Sequence, residues 1–148
     1  MMSTEPVGLE MFELARELWP LNRSLSGPGT RATLERIQKE LPSLDIRSFK
    51  SGSPAFDWVV PKEWEITEAY IQTPNGEKIC DFDENNLHVV GYSSSVDKEL
   101  PLAELQKHLH SLPSQPNAIP YVTSYYREQW GFCLSNRERE LLPEGIYR

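Results

Sequence analysis

The sequence predicts an α+β fold: two N-terminal helices, then a mainly antiparallel β-rich domain with one or two short helices. Three observations predict it. Up to Leu41 the apolar residues recur at helical spacing. From Leu44 onward they alternate in short runs broken by proline, glycine and polar clusters. Within that second region, Thr73-Pro74-Asn75-Gly76 separates two alternating runs, and Asn-Gly in that setting is the strongest short hairpin signal.

In the first helix Leu9, Phe12, Leu14, Ala15, Leu18 and Trp19 form an apolar stripe, with Glu10, Glu13, Arg16 and Glu17 mostly opposite, and Pro20 ends it. The loop Asn22–Pro28 has serine at 24 and 26 and glycine at 27, with Gly29 directly after it. It lacks the Gly-Lys-Ser/Thr run and the preceding strand of a phosphate loop. A second helix is expected over roughly Gly29–Leu41, with Ala32, Leu34, Ile37 and Leu41 on one face and Pro42 closing it. Leu44–Phe49 alternates as a strand. The flexible run Lys50–Pro54 divides the chain into a helical segment, 1–50, and a β-rich domain, 51–148.

Phe56–Trp64 follows, carrying Trp58 and broken at Pro61-Lys62-Glu63. Glu65–Thr73 and Glu77–Phe82 form the hairpin. Leu87–Tyr92 reads as a further strand. Pro101 suits the first turn of a helix bearing Leu102, Leu105, Leu109 and Leu112. Ile119–Ser135 reads as a core hairpin, with strands Tyr121–Tyr126 and Trp130–Leu134 around the polar turn Arg127-Glu128-Gln129. Gly131 beside large rings signals a bulge or a close backbone approach. Ser135 with Glu138 is a capping-box pattern for a short helix through Leu142. Glu144–Arg148 reads as the start of a strand.

Bulk properties narrow the function. The formal net charge of -7 opposes nucleic acid or an anionic membrane as partner. No apolar run reaches the roughly 20 residues of a membrane span, and the N-terminus has no basic region of the signal-peptide kind. Two cysteines, Cys80 and Cys133, are too few for a disulfide framework and point to free thiols and a cytoplasmic setting.

No catalytic constellation emerges. His108 and His110 diverge on the expected helix, and His88 has no second ligand nearby. Asp81, Asp83 and Asn85 supply three oxygens at calcium-loop spacing, but Asn86 and Tyr92 stand where glycine and glutamate are required, so the loop reads as a solvated turn. Cys133 reads as a small residue on a packed strand rather than a nucleophile. No serine lies in a Gly-x-Ser-x-Gly elbow. Catalytic residues and metal ligands are therefore expected to be none. The residues that remain are aromatic: Trp58, Tyr125, Tyr126 and Trp130 form a possible binding platform for sugar or peptide.

Four runs carry a resemblance: LWPLNRSLSGPGTRATLERI (Leu18–Ile37), FDWVVPKEWEITEAYI (Phe56–Ile71), NNLHVVGYSSSVD (Asn85–Asp97) and LHSLPSQPNAIPYVTSYYREQWGFCLS (Leu109–Ser135). Through them the chain resembles a bacterial aminopeptidase-like family related to zinc-dependent exopeptidases. The resemblance implies that Met1–Leu41 open a peptidase domain and that about Phe56–Arg148 form most of an inserted β-rich, cap-like domain. It also implies zinc in full-length members, held by ligands that begin with a His-Pro-x-x-Ala-Asn run. This sequence has no His-Pro pair, so no ligand and no catalytic residue carries over. The implied function is the N-terminal part of a zinc aminopeptidase-like hydrolase, not catalytic as this chain alone. The alternative is a stand-alone, non-catalytic binding module. The implied partners are a missing C-terminal peptidase portion or a second copy, engaged through the N-terminal helices.

Overall fold

The computed structural model describes residues 7–23, 26–124 and 127–148. The chain divides into two compact units, Met1–Glu65 and Ile66–Arg148. The run Lys50–Pro54 lies within the first of them.

In the first unit, α1 spans Val7–Leu18 and α2 spans Pro28–Glu40. Proline at the start of α2 fits a position whose N–H would be unpaired in any case. Arg36 of α2 donates to Glu17 of α1 at 2.7 Å and to Glu40 at 2.6 Å. A two-residue hairpin follows, β1 (Pro54–Ala55) against β2 (Trp58–Val59).

The expected strand at Leu44–Phe49 does not form. Leu44 N–H donates to Leu41 O at 2.9 Å and Leu44 O accepts from Gln38 Nε2 at 2.8 Å. Its peptide groups therefore finish the end of α2 instead of pairing with a strand, and Phe49 is 75% exposed. The apolar stripe of α1 is also largely uncovered. Phe12 is 63% and Trp19 65% exposed, and Leu18 is the buried apolar residue of this unit among those described.

The second unit holds the core, with Val90, Cys133, Leu134 and Tyr147 fully buried at its centre. Its elements are β3 (Ile71–Gln72), β4 (Lys78–Ile79), β5 (Leu100–Pro101), α3 (Leu102–Leu105), β6 (Leu109–His110), β7 (Phe132–Cys133), α4 (Asn136–Glu140) and β8 (Ile146–Tyr147). Pairs β3–β4 and β5–β8 are antiparallel, and β6–β7 is parallel. Gln72 and Arg148 exchange backbone hydrogen bonds of 2.6 and 3.0 Å, which link the two antiparallel pairs. The α+β class is therefore as the sequence predicts.

The Asn-Gly hairpin forms as expected. Gly76 N–H donates to Thr73 O at 2.9 Å, and Gly76 takes φ 85°, a left-handed conformation that costs glycine least. The capping box also forms: Ser135 Oγ accepts from Glu138 N–H, and the Glu138 carboxylate accepts from Ser135 N–H at 3.0 Å. The expected terminal strand is β8.

Three further expectations, all in the second unit, are corrected. The Ile119–Ser135 stretch is not a self-contained hairpin. Phe132 of β7 pairs with Leu109 and with Val89, while Thr123 bridges Gly91. Gly131 explains the choice: a Cβ there would lie 2.8 Å from His108 O, so the bare backbone admits β6 alongside. Part of the expected first strand, Tyr125 and Tyr126, lies outside the described residues.

The strand expected at Leu87–Tyr92 begins instead as a 3-10 turn, Asn86–His88, because Asn85 Oδ1 accepts from Leu87 N–H at 3.0 Å. The helix expected from Leu102 through Leu112 stops at Leu105. It tightens into a 3-10 turn, Gln106–His108, and continues as β6. Leu102, Leu105 and Leu109 are buried all the same, because a turn of helix followed by a strand delivers them to one core.

Candidate functional site

Trp130 precedes β7 and is half-buried. His108 stacks on its indole at 3.7 Å between centroids and 12° between planes, and Phe132 meets it edge-on at 6.4 Å. His108 Nδ1 lies 3.1 Å from Trp130 O. The ring is thus fixed by a stack, an edge contact and a hydrogen bond at the level of its own backbone.

Trp130 lines a cavity of about 380 Å³ together with Tyr70, Glu68, Asp97, Lys98 and Arg148. Arg148 donates from Nε and Nη2 to the two oxygens of Asp97 at 3.0 and 3.1 Å, a bidentate fork. That hydrogen bonding holds the Asp97 carboxyl below its ordinary value and the Arg148 guanidinium above its own. Lys78 Nζ lies 3.7 Å above the centre of the Tyr70 ring, a cation–π contact.

The four aromatic residues singled out in the sequence separate as follows. Trp130 stands in this cavity wall. Trp58 lies on β2 of the first unit, 44% exposed. Tyr125 and Tyr126 lie outside the described residues. Sequence reasoning missed Tyr70, Asp97, His108 and Arg148. The Asp97–Arg148 pair joins positions 51 apart, and no local pattern announces such a contact.

The histidines and cysteines are held structurally. His88 Nδ1 lies 2.8 Å from Cys133 O. His110 stands below its ordinary pKa through burial, with Arg139 and His108 adding to the effect. Both cysteines are buried and free. Burial pushes the Cys80 thiol up to about 12 and the Cys133 thiol to about 11. Neither is a poised nucleophile, because the thiolate is the reactive form.

Folded-state values above the unfolded 9.0 stabilise the protein fully below that pH. The contribution is lost as pH rises from 9.0 through 11 to 12. Alkaline denaturation followed by circular dichroism should show stability falling across that window, with a shallower fall in Cys80→Ala.

Among the described residues, no group of three or more His, Cys, Asp or Glu side chains can hold a metal ion. Asp81 Oδ1 accepts from Asp83 N–H at 3.0 Å, so the acidic loop is closed on itself. Also among the described residues, no helix is long and apolar enough to cross a membrane.

Three comparisons bear on this arrangement. Residues 63–148 match the family described as Domain of unknown function (DUF2172). A Clostridium acetobutylicum protein named "Putative polysaccharide biosynthesis protein with aminopeptidase-like domain" is 46% identical over 145 residues, which are 98% of this chain and 33% of that protein. A crystal structure described as "putative peptidase", also from Clostridium acetobutylicum, superposes with a TM-score of 0.91 at 47% identity, covering 95% of this chain and 33% of that one. The chain thus spans about a third of the length of the relatives it matches.

Proposed function

The chain belongs to the DUF2172 family, and from that premise we propose that it forms the N-terminal part of an aminopeptidase-like hydrolase acting on peptide or amide bonds. The observation that carries this reading is the 46% identity along 98% of the chain to a protein named for an aminopeptidase-like domain. In this reading the 148 residues supply scaffold and a cap, and the hydrolytic centre lies in the remaining two thirds. Full-length members would use zinc to polarise a carbonyl and activate water. The described residues here do not fit that metal: no ligand set converges, His88 faces a backbone carbonyl, and both thiols are held protonated. No step through zinc is assigned to this chain.

The partner in this reading is the peptidase portion itself, docking on the uncovered apolar face of α1. Deprived of it, the 148-residue chain should self-associate, since a contiguous exposed apolar stripe is an association site. Light scattering should show a concentration-dependent mass, reduced by Phe12→Ser. A strict monomer at high concentration would remove the docking role. The two free buried cysteines suit a reducing compartment, and the cytoplasm is the proposed location.

The test is hydrolysis of aminoacyl anilides by the complete gene product and by this chain in parallel, each with and without a chelator. Turnover by the complete product alone, abolished by the chelator and restored by zinc, is expected. Inactivity of a folded, zinc-loaded complete product on every aminoacyl substrate would overturn the reading.

A further inference from the structure

We propose that the cavity beside Trp130 binds a neutral saccharide, with Trp130 stacking on a sugar ring and the Asp97–Arg148 fork bonding its hydroxyls. The site is independent of hydrolysis and lies wholly within the second unit. Its volume of about 380 Å³ suits a small ligand rather than a protein surface. His108 stacks on the indole at 3.7 Å, and its Nδ1 at 3.1 Å from Trp130 O holds the imidazole in that stack. A flat aromatic wall held in this way complements the C–H face of a pyranose.

Charge decides among ligand classes. The lining carries two acids, Glu68 and Asp97, and two bases, Lys98 and Arg148, so the formal charges cancel. A phosphorylated ligand would meet the like charge of Glu68 and Asp97, and a strongly cationic one that of Lys98 and Arg148. A polyhydroxylated neutral ligand finds donors and acceptors together. The fork strengthens this: Arg148 commits two of its five N–H groups to Asp97, which leaves three donors beside a carboxylate already oriented. An extended peptide is disfavoured because the neighbouring strand edges are occupied, Tyr147 by Leu100 and Arg148 by Gln72.

The test is saturation-transfer NMR on the complete protein, with methyl β-glucoside, cellobiose and the N-acetylglucosamine dimer as probes, and with glucuronate and triglycine as comparators. Transfer to at least one neutral saccharide is expected. Asp97→Asn, on the exposed rim, should weaken it about tenfold while leaving the melting temperature unchanged. Trp130→Ala should abolish it. If Trp130→Ala fails to fold, Asp97→Asn decides alone. The proposal is overturned by transfer to no neutral saccharide, by transfer to glucuronate or triglycine alone, or by saccharide transfer that Asp97→Asn leaves intact. Loss of hydrolysis in the complete protein would not touch it.

Discussion

Leu134→Ala is expected to destabilise the second unit by about 2–5 kcal/mol. Leu134 is 1% exposed and directly follows β7, where its N–H donates to His110 O at 3.1 Å. Truncation removes the buried methyl groups and leaves a cavity that the surrounding backbone pairs resist closing. Urea unfolding should show a lower midpoint with an unchanged slope. A shift no larger than that of a surface substitution would mean that the core is not built around β7.

Gly131→Ala is expected to cost about 1–3 kcal/mol by overpacking. An added Cβ would lie 2.8 Å from His108 O and 3.2 Å from both His110 Nε2 and Val90 Cγ2. The nearest obstacle is backbone, which cannot rotate away. Relief requires β6 and β7 to separate, and that would also disturb the His108–Trp130 stack. Two readouts should therefore move together: the melting temperature falls, and the near-ultraviolet circular dichroism of tryptophan weakens. A fully stable variant would show that β6 does not pass so close to Gly131.

These two residues also mark what sequence reading reaches in this fold. The role of Gly131 was legible, because a glycine among large rings implies that another backbone approaches. Which backbone approaches was not legible. The approaching strand, β6, hides inside a leucine pattern whose 3-4-3 spacing reads as one helix. Leu102, Leu105 and Leu109 satisfy that spacing equally well across a helical turn, a 3-10 turn and a strand.

Two local signals were read correctly, whereas the equally local contacts of Leu87 with Asn85 and of Leu44 with Leu41 were not. Thr73–Gly76 closes its own turn, and Ser135 with Glu138 caps its own helix. Signals that depend on distant partners were not. The strand pairing of Phe132 with Leu109, and the fork between Asp97 and Arg148, join residues that no periodicity connects. Trp130 was selected for its ring alone. Its companions Tyr70 and Arg148 reach the cavity through β3 and the end of β8.

The cavity and the peptidase reading stand on different observations. The first rests on fixed rings and balanced charge in the second unit. The second rests on relatedness along nearly the whole chain to proteins about three times its length. In α1 the apolar stripe read from the sequence is exposed, with Phe12 at 63% and Trp19 at 65%. In the proposed reading, the rest of a longer protein would cover that face.

The measurement that tests this most directly is the intact mass of the native protein, captured from its own cells with an antibody against residues 100–148. The chain described here weighs 17.0 kDa, and it spans 33% of its relatives. A native mass about three times larger is expected. A native mass of 17.0 kDa would contradict the account: the chain would then exist in its own right, and the saccharide cavity rather than a hydrolytic centre would be its candidate function.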